Sequence, residues 1–494
     1  MSCLSCLPDE VLKTVMQHVP LQDRLTCCCL VNRRLHAAIA AIAATQELQL
    51  EFGIRYFETH QFGVPHHHAD CVWEWLSHFG QHLTSLGLAK LQQPLQQLPC
   101  PNLLQLSRRR CTVQLGPAAG GLPDVFQCCT KLTHLELRCN INAPEGGEMD
   151  SLSTLVHLES LSLMMPADAD SEVILSQGTL PCLTRLTSIR MSDWAADNVV
   201  QLGVLTNLQE LELLGSSSEI SLGPSSVPGL GFPASLTLLE LCSRIEAGVL
   251  SLVPTGLKFL AIECGVDGPA EGPDSLLSCM ARLQHLTALH VCPERDMNWP
   301  PPGPAYSALT ASSSLVRLVL SECTPPGDVW PYVFPASHKL PHLTSFTCAG
   351  DTEGVEGDPT STWGAAGLSN LVSCCPNLHC LMEGYEEYPL HLQHGPHVSE
   401  LHKLTAVTSL CVQYGDGDAA EYRESLRGLA AVTQLRDLWL GTSSPMVTGA
   451  SLLPLTSLTT LTRLSWQWLK STLNDAENSC FCAKQQVSSA HPLQ

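Results

Sequence analysis

The stretch LTHLELRCN at residues 132–140 decides the fold, since it places leucine at 132, 135 and 137 and asparagine at 140. Side chains alternate along a β-strand, so Leu135 and Leu137 would share one face and Glu136 would lie on the other. A second complete copy, LVRLVLSEC, spans residues 315–323 and ends in cysteine. One short strand cannot bury its leucines alone, so the pattern predicts strands that stack against each other.

Weaker copies of this leucine pattern recur along most of the chain. They begin at Leu83, Leu103, Leu158, Leu186, Leu208, Leu236, Leu257, Leu286, Leu343, Leu378, Val407, Leu435 and Leu461. The copy at Leu103 is degenerate, because Arg108 occupies its last leucine position. With the two complete copies, the fifteen starts lie 20 to 35 residues apart, about 27 on average. The period predicts an α/β solenoid, a curved horseshoe with parallel strands on the concave face and helices on the convex face.

The repeats resemble leucine-rich repeats, and in places the cysteine-containing class of them. The sequence CPNL at 100–103 and again at 375–378 resembles the start of a repeat in that class. Cys139, Cys264 and Cys323 follow predicted strands by two or three residues, where that class places a buried cysteine. A segment between strands has helical spacing, with apolar residues at Leu276, Leu277, Met280, Leu283 and Leu286.

Composition narrows the classes of partner and compartment. The formal net charge is −21, which disfavours nucleic acid and anionic membranes as partners. The 24 cysteines and the absence of a secretory signal pattern at the N-terminus indicate a reducing compartment. We therefore expect a protein of the cytoplasm or nucleus whose cysteines act as small buried apolar residues.

The first 44 residues differ from the repeats. LPDE at 7–10 places acidic residues in the first turn of a helix, and an apolar stripe follows up to Pro20. Two more short helices are predicted before residue 44. The string LPDEVLKTVMQHVPLQDRLTCCCLVNRRLHAAI at residues 7–39 closely resembles an F-box. Leu35 is a departure, because it stands where that family often has tryptophan.

An F-box followed by leucine-rich repeats resembles the substrate receptor of an SCF-type cullin-RING ubiquitin ligase. The resemblance implies that the F-box binds the adaptor subunit, and through it a cullin, while the repeats hold a target protein for ubiquitination. It implies no catalytic residue and no cofactor. The adaptor-binding residues implied are Leu7, Pro8, Val11, Leu12, Val15, Leu25, Leu30 and Val31.

The predicted organisation has four parts: an F-box-like helical module at 1–44, a linker and N-terminal cap at 45–82, about fifteen repeats at 83–470, and a disordered tail at 471–494. The competing hypothesis is a repeat scaffold without a ligase role, whose N-terminal helices only cap the repeats. Solvent-facing Val11, Leu12 and Val15 would favour docking, and burial of these residues would favour the cap. An enzyme is the third hypothesis.

Outward positions on the predicted strands are candidates for target binding, although a solvated charged face is the ordinary alternative for any one of them. Trp439 stands out, because a tryptophan among polar neighbours is typical of an interface. The acidic run at 210, 212 and 240 hints at a target with a basic segment. The candidates are Glu136, Arg190, Glu212, Glu240, His290, Trp439 and Arg463.

No catalytic or metal-binding motif in the sequence lies in a context that would support its function. Three adjacent histidines at 66–68 do not converge on one ion without special geometry. Cys27 and Cys29 would face apart on a helix, so core packing is the better interpretation, and Cys3 and Cys6 form an equally weak pair. Gly229-x-Gly231 precedes a strand instead of opening a helix, unlike a dinucleotide loop. We therefore predict no metal site.

Overall fold

The computed structural model describes residues 14, 48–51, 76–77, 80–89, 99–114, 126, 128–142, 150–164, 178–192, 201–215, 222, 230–242, 244–263, 266–267, 275–292, 303–321, 329–349, 365–381, 390–392, 403, 405–414, 419–442 and 449–468. The chain divides into two compact units, residues 1–236 and 237–494. Each unit contains a ladder of parallel strands.

In the first unit the described residues form seven strands, each hydrogen-bonded in parallel to the next. The third and fourth strands pair over their whole length, with a register shift between Arg109 and Cys111. The strands are β1 Leu48–Glu51, β2 Ser85–Ala89, β3 Gln105–Gln114, β4 His134–Asn142, β5 Ser160–Met164, β6 Ser188–Ser192 and β7 Glu210–Leu214.

In the second unit the described residues form a ladder of ten strands and one separate pair, β9 with β11. All of these pairings are parallel. The strands are β8 Leu238–Cys242, β9 Ile245–Glu246, β10 Phe259–Ile262, β11 Val266–Asp267, β12 Ala288–Val291, β13 Arg317–Ser321, β14 Ser345–Ala349, β15 Cys380–Leu381, β16 Leu390–Leu392, β17 Ser409–Tyr414, β18 Asp437–Thr442 and β19 Arg463–Trp468.

Every one of the fifteen predicted repeat starts is followed two residues later by a strand. The predicted leucine-rich-repeat fold is confirmed by this agreement. The agreement extends to the degenerate copy at Leu103, since its strand β3 pairs with both β2 and β4. Residues 48–51, ahead of the first repeat, also form a strand, β1, which pairs with β2.

The core consists of the repeat leucines and the residues that replace them. Leu135, Leu161, Leu211 and Leu260 are at most 2% exposed. They occupy the matching position of their repeats, and each lies beside the equivalent residue of a neighbouring strand, as Leu135 does beside Leu161 and Leu260 beside Leu239. Burying one leucine side chain contributes about 1.5–3 kcal/mol, which explains why the pattern tolerates other apolar residues but not polar ones at these positions.

Threonines that follow the first leucine of a repeat tie neighbouring repeats together. The Thr133 hydroxyl donates to the carbonyl oxygen of Leu104 at 3.0 Å, and the backbone N–H groups of Thr133 and His134 donate to the same oxygen. The same side-chain bond recurs at Thr187, Thr287, Thr344, Thr408 and Thr462. At each of these six positions the hydroxyl adds a third donor to a carbonyl oxygen that already accepts two backbone N–H bonds.

Among the described residues, the connections between strands contain less α-helix than the period of about 27 residues predicts. Several are 3₁₀ segments, as at Asp150–Thr154, Gln201–Val204 and Gly449–Ser457. The helices are α1 Thr179–Cys182, α2 Leu276–Met280, α3 Trp330–Val333, α4 Ala365–Cys374 and α5 Ala419–Ala430. Only α4 and α5 exceed two turns among the described residues. The helix predicted from Leu276 to Leu286 stops at Met280, because Leu283 and Leu286 belong to the turn that leads into β12.

Close packing around α4 explains one glycine. A Cβ added to Gly367 would lie 2.7 Å from the Trp330 Cβ, so this position accepts only glycine without a shift of α3. Trp330 forms an aromatic cluster with Phe334 and Phe346, with ring centroids 5.3–6.5 Å apart. Described helices are all too short or too polar to cross a membrane.

Several predictions fall on parts of the chain outside the described residues. The cysteine and histidine spacings at 3–6, 27–29 and 66–71, for which core packing or a loop is the preferred interpretation, lie there, and so does the tail at 471–494. The eight adaptor-binding candidates lie there too: Leu7, Pro8, Val11, Leu12, Val15, Leu25, Leu30 and Val31. Thr14, between two of them, is helical and exposed. In the predicted cap, Leu76 is helical and fully buried.

Candidate binding surface

Alternate residues of most described strands are buried in the leucine core, although β10, β13 and β14 bury three or more consecutive residues. The other residues of each strand lie on the face opposite the leucines. We call the surface formed by these other residues the variable face. Its central row in the first unit is Gly87, Ser107, Glu136, Ser162, Arg190 and Glu212. In the second unit the matching row contains Glu240, Ala261, His290, Val319 and Thr347, and later Cys411, Trp439 and Ser465. Six of the seven predicted target-binding residues therefore lie in this row, and Arg463 lies beside it on β19.

Charged residues of the first unit pair with one another across and along the strands. Glu136 accepts a hydrogen bond from the Ser107 hydroxyl at 2.7 Å, and its other oxygen lies 2.6 Å from Arg138 Nε. Arg190 Nε lies 2.9 Å from a Glu212 carboxylate oxygen, although its N–H is not aimed at that oxygen. We regard this second contact as a charge contact without an aligned hydrogen bond. Such partly exposed pairs contribute about 0–1 kcal/mol each.

This pairing changes the electrostatic argument for a basic target. Glu136 and Glu212 each have an arginine beside them, so the row presents both signs of charge instead of an acidic strip. Glu210, two residues before Glu212 on β7, is exposed. That the target has a basic segment consequently stays a prediction, and the arginines beside Glu136 and Glu212 weaken the charge argument for it.

At the start of the second unit, acidic and cysteine side chains converge. Glu240 and Cys242 lie on β8, and Glu263 directly follows β10 on the neighbouring strand. Glu263 is also held by His290 of β12, whose Nδ1 lies 3.1 Å from one carboxylate oxygen. The hydrogen bond from His290, opposed by partial burial and aided by Cys242, keeps the pKa of Glu263 below its usual range.

Further along the second unit the variable face becomes apolar and partly covered. Val319 and Thr347 occupy the central row but are only 7% and 4% exposed. Trp439 is partly buried instead of fully exposed as the sequence suggested, with Cys411 and Ser465 beside it in the row. Arg463 is exposed at the start of the last described strand. The indole of Trp439 is thus partly accessible to a bound protein.

Six described cysteines are buried in the core: Cys100, Cys129, Cys279, Cys348, Cys374 and Cys375. Burial raises the pKa of the Cys100, Cys129 and Cys348 thiols to about 12. Such thiols stay protonated at neutral pH and are poor nucleophiles. Their role is packing, as the composition predicted. Cys242 differs, since it is partly exposed and faces two carboxylates.

Sequence reasoning missed Cys242 and singled out Glu240 and His290 without connecting them to Glu263. The missing information is register, because these residues are up to 50 positions apart and meet only when β8, β10 and β12 align. The repeat pattern contained the signal: position 242 follows the second strand leucine of its repeat by one residue, and position 263 does the same. Aligning the repeats by their leucines would have placed the two side by side.

Comparison with known proteins adds information on the part of the chain ahead of the ladders. Residues 4–41 match the F-box domain. The F-box thus coincides with the N-terminal module predicted at 1–44, and Thr14 lies within it. No curated protein matches the chain. Among solved structures, the chain is similar to an internalin (inlF) from Listeria monocytogenes, with 15% identity and a TM-score of 0.41. That similarity covers 78% of this chain and 87% of the internalin.

Proposed function

We propose that this chain is the substrate-recognition subunit of an SCF-type ubiquitin ligase. The F-box at residues 4–41 is the observation that carries the proposal, since F-box domains bind adaptor subunits of the Skp1 type. The adaptor would in turn connect the chain to a cullin. The variable face of the ladders would hold the target protein.

The side chains on the variable face support its role in binding a target protein. The repeat core is formed by regularly spaced leucines, which leaves the variable face free to take any side chain. That face presents ion pairs in the first unit and a partly exposed tryptophan in the second. Polar pairs and partly exposed aromatic side chains are both common in protein interfaces.

On this proposal the chain contributes proximity and no catalytic group. A target held on the variable face presents its lysines to the ubiquitin-carrying enzyme at high effective concentration. We also propose that the repeats belong to the cysteine-containing class, because Cys100 and Cys375 are buried at the start of their repeats. A location in the cytoplasm or nucleus, where ubiquitin ligases of this type act, is part of the same proposal.

The test is co-purification of the full chain with a purified Skp1-type adaptor, analysed by size-exclusion chromatography. The wild-type chain should form a stable complex, and the double change Leu12→Asp and Val15→Asp should abolish it. The matched control is Val156→Asp, because Val156 is an exposed apolar residue of the first unit, 47% exposed, outside the F-box. The control should bind the adaptor like the wild type.

The same experiment separates this proposal from a repeat scaffold without a ligase role. A folded wild-type chain that fails to bind the adaptor would contradict the proposal and leave the scaffold. Binding that survives the double change would place the contact elsewhere in the chain. Where the complex forms, adding a cullin-RING partner and a ubiquitin-charged enzyme should yield ubiquitin chains on a bound target, and the isolated chain should yield none.

A further inference from the structure

The cluster on β8, β10 and β12 brings together three side chains that ligate metals. The Cys242 sulfur lies 3.8 Å from Glu240 Oε1 and 3.4 Å from Glu263 Oε2. One ligand atom from each of these three residues lies within 4.8 Å of the others. All three are at least partly accessible to solvent, so an ion could reach them. No other group of this kind occurs among the described residues.

These distances agree with the edges of a tetrahedral zinc site. With a zinc–sulfur bond of about 2.3 Å and a zinc–oxygen bond of about 2.0 Å, a sulfur and an oxygen ligand are about 3.5 Å apart. The two observed sulfur–oxygen distances, 3.4 and 3.8 Å, bracket that value. A single ion could therefore contact all three residues with only small side-chain movements.

The backbone fixes the three ligands independently of any ion. Glu240 and Cys242 are two residues apart on one strand, so both point to the same face. The Glu263 backbone N–H donates to the Leu241 carbonyl at 2.8 Å, which places Glu263 beside Cys242 on the next strand. Ala261 lies between Glu240 and His290 in the central row and is buried.

His290 holds Glu263 in the orientation that a metal ligand needs. One oxygen of Glu263 accepts from His290 Nδ1 at 3.1 Å, and the other oxygen turns toward Cys242. Ligating carboxylates are usually hydrogen-bonded in this way by a second residue. His290 is thus a positioning residue for the cluster.

We propose that Glu240, Cys242 and Glu263 bind a zinc ion on the variable face of the second unit. Two carboxylates bring negative charge to the cluster, and a bound divalent cation would compensate that charge. The thiolate selects zinc over magnesium and calcium, which prefer oxygen ligands alone. Three protein ligands leave the fourth position of the tetrahedron for water or for a side chain of a bound protein.

The test measures zinc bound to the purified full chain after dialysis, together with its affinity from competition with a chromophoric chelator. Because the chain has 24 cysteines, the result is a difference between variants and not a total. Wild type should bind one more equivalent of zinc than Cys242→Ser. Cys182→Ser, which removes an exposed thiol of the first unit, should bind as much as wild type.

Further variants separate ligands from the positioning residue. Glu240→Gln and Glu263→Gln each remove a ligating charge with little change of shape, and should weaken zinc binding at least about tenfold. Cobalt should give a thiolate charge-transfer band in wild type that Cys242→Ser loses. His290→Gln should keep the band while weakening binding by about 10- to 100-fold.

Circular dichroism of each variant shows whether it is folded, and if Cys242→Ser is not, the two glutamate variants decide the question. Equal zinc stoichiometry and affinity in wild type and in the folded Cys242→Ser, or in the two glutamate variants, would overturn the proposal. Binding of calcium as tight as that of zinc would overturn it too, since the thiolate would then have no part in the site.

Discussion

The ladder of the first unit and the ladder of the second bury equivalent leucines and differ in almost everything that surrounds them. In the first, the described parts of two connections contain short 3₁₀ segments, Asp150–Thr154 and Gln201–Val204, and the variable face has paired charges. In the second, α4 and α5 are longer helices, and an aromatic cluster fills the space behind β14. Its variable face changes from acidic side chains near Glu240 to buried Val319.

The difference shows which positions of a repeat are constrained by folding. A leucine at the core positions is demanded by stacking, because each strand depends on its neighbours for burial. A residue of the variable face is not required for core packing, so its side chain is available for binding. The cluster at Glu240 and the tryptophan at 439 are both in that unconstrained set, and they occur in the unit whose connections are the more varied.

Removing a ring of the aromatic cluster should give the largest effect. Phe346 is fully buried, and its ring centroid lies 5.3 Å from that of Phe334 and 6.2 Å from that of Trp330. We expect Phe346→Ala to lower the free energy of unfolding by about 3–5 kcal/mol. Ile189 occupies the equivalent repeat position in the first unit, and Ile189→Ala should cost less, about 2–4 kcal/mol, because no aromatic cluster surrounds it among the described residues.

Urea unfolding followed by circular dichroism measures both losses. Val204→Ala is the control, since Val204 is 55% exposed in the first unit and its truncation should change stability by no more than about 0.5 kcal/mol. If Ile189→Ala destabilised the chain more than Phe346→Ala, the aromatic cluster would not be the firmer part of the core.

A smaller effect should distinguish a buried threonine bond from the repeated bonds of the ladder. Thr310 is 1% exposed and donates to the Val333 carbonyl at 2.6 Å. Thr310→Val should lower the free energy of unfolding by about 1–3 kcal/mol, because it removes a donor from a buried acceptor. Thr133→Val should cost at most about 0.5 kcal/mol, since the Leu104 carbonyl keeps two backbone donors. Equal losses in thermal or urea unfolding would show that burial does not separate the two bonds.

The sequence predicts the strands well and the connections poorly, and there is a physical reason for both. The spaced leucines are the residues that the core buries, so each of the fifteen predicted starts is followed by a strand, including the one at Leu103. A connection needs only to return the chain to the next strand, and a 3₁₀ turn does this as well as a helix. The segment after Leu276 shows the ambiguity: its apolar spacing suits a long helix, but Leu283 and Leu286 were already required by the next repeat.

The candidate site is predicted less completely than the fold, because sequence does not state which outward residues meet. Alternation placed Glu136, Arg190 and Glu212 on the correct face. It could not show that Arg190 sits beside Glu212, or that Cys242 meets Glu263 from the next strand. These pairings depend on the register between repeats of unequal length, which is known only once the strands are aligned.

The smallest expected effect tests whether the ion pairs of the first unit stabilise the fold at all. Arg190 and Glu212 are 40% and 28% exposed, so water screens the attraction between them. A double-mutant cycle with Arg190→Ala, Glu212→Ala and the combined variant should give a coupling energy of about 0.2–1 kcal/mol that falls as salt is added. A coupling energy above this range that does not change with salt concentration would mean that the pair is effectively buried and belongs to the core. A small, salt-dependent value would leave both side chains available to a bound protein at little loss of stability, which is what a recognition surface requires.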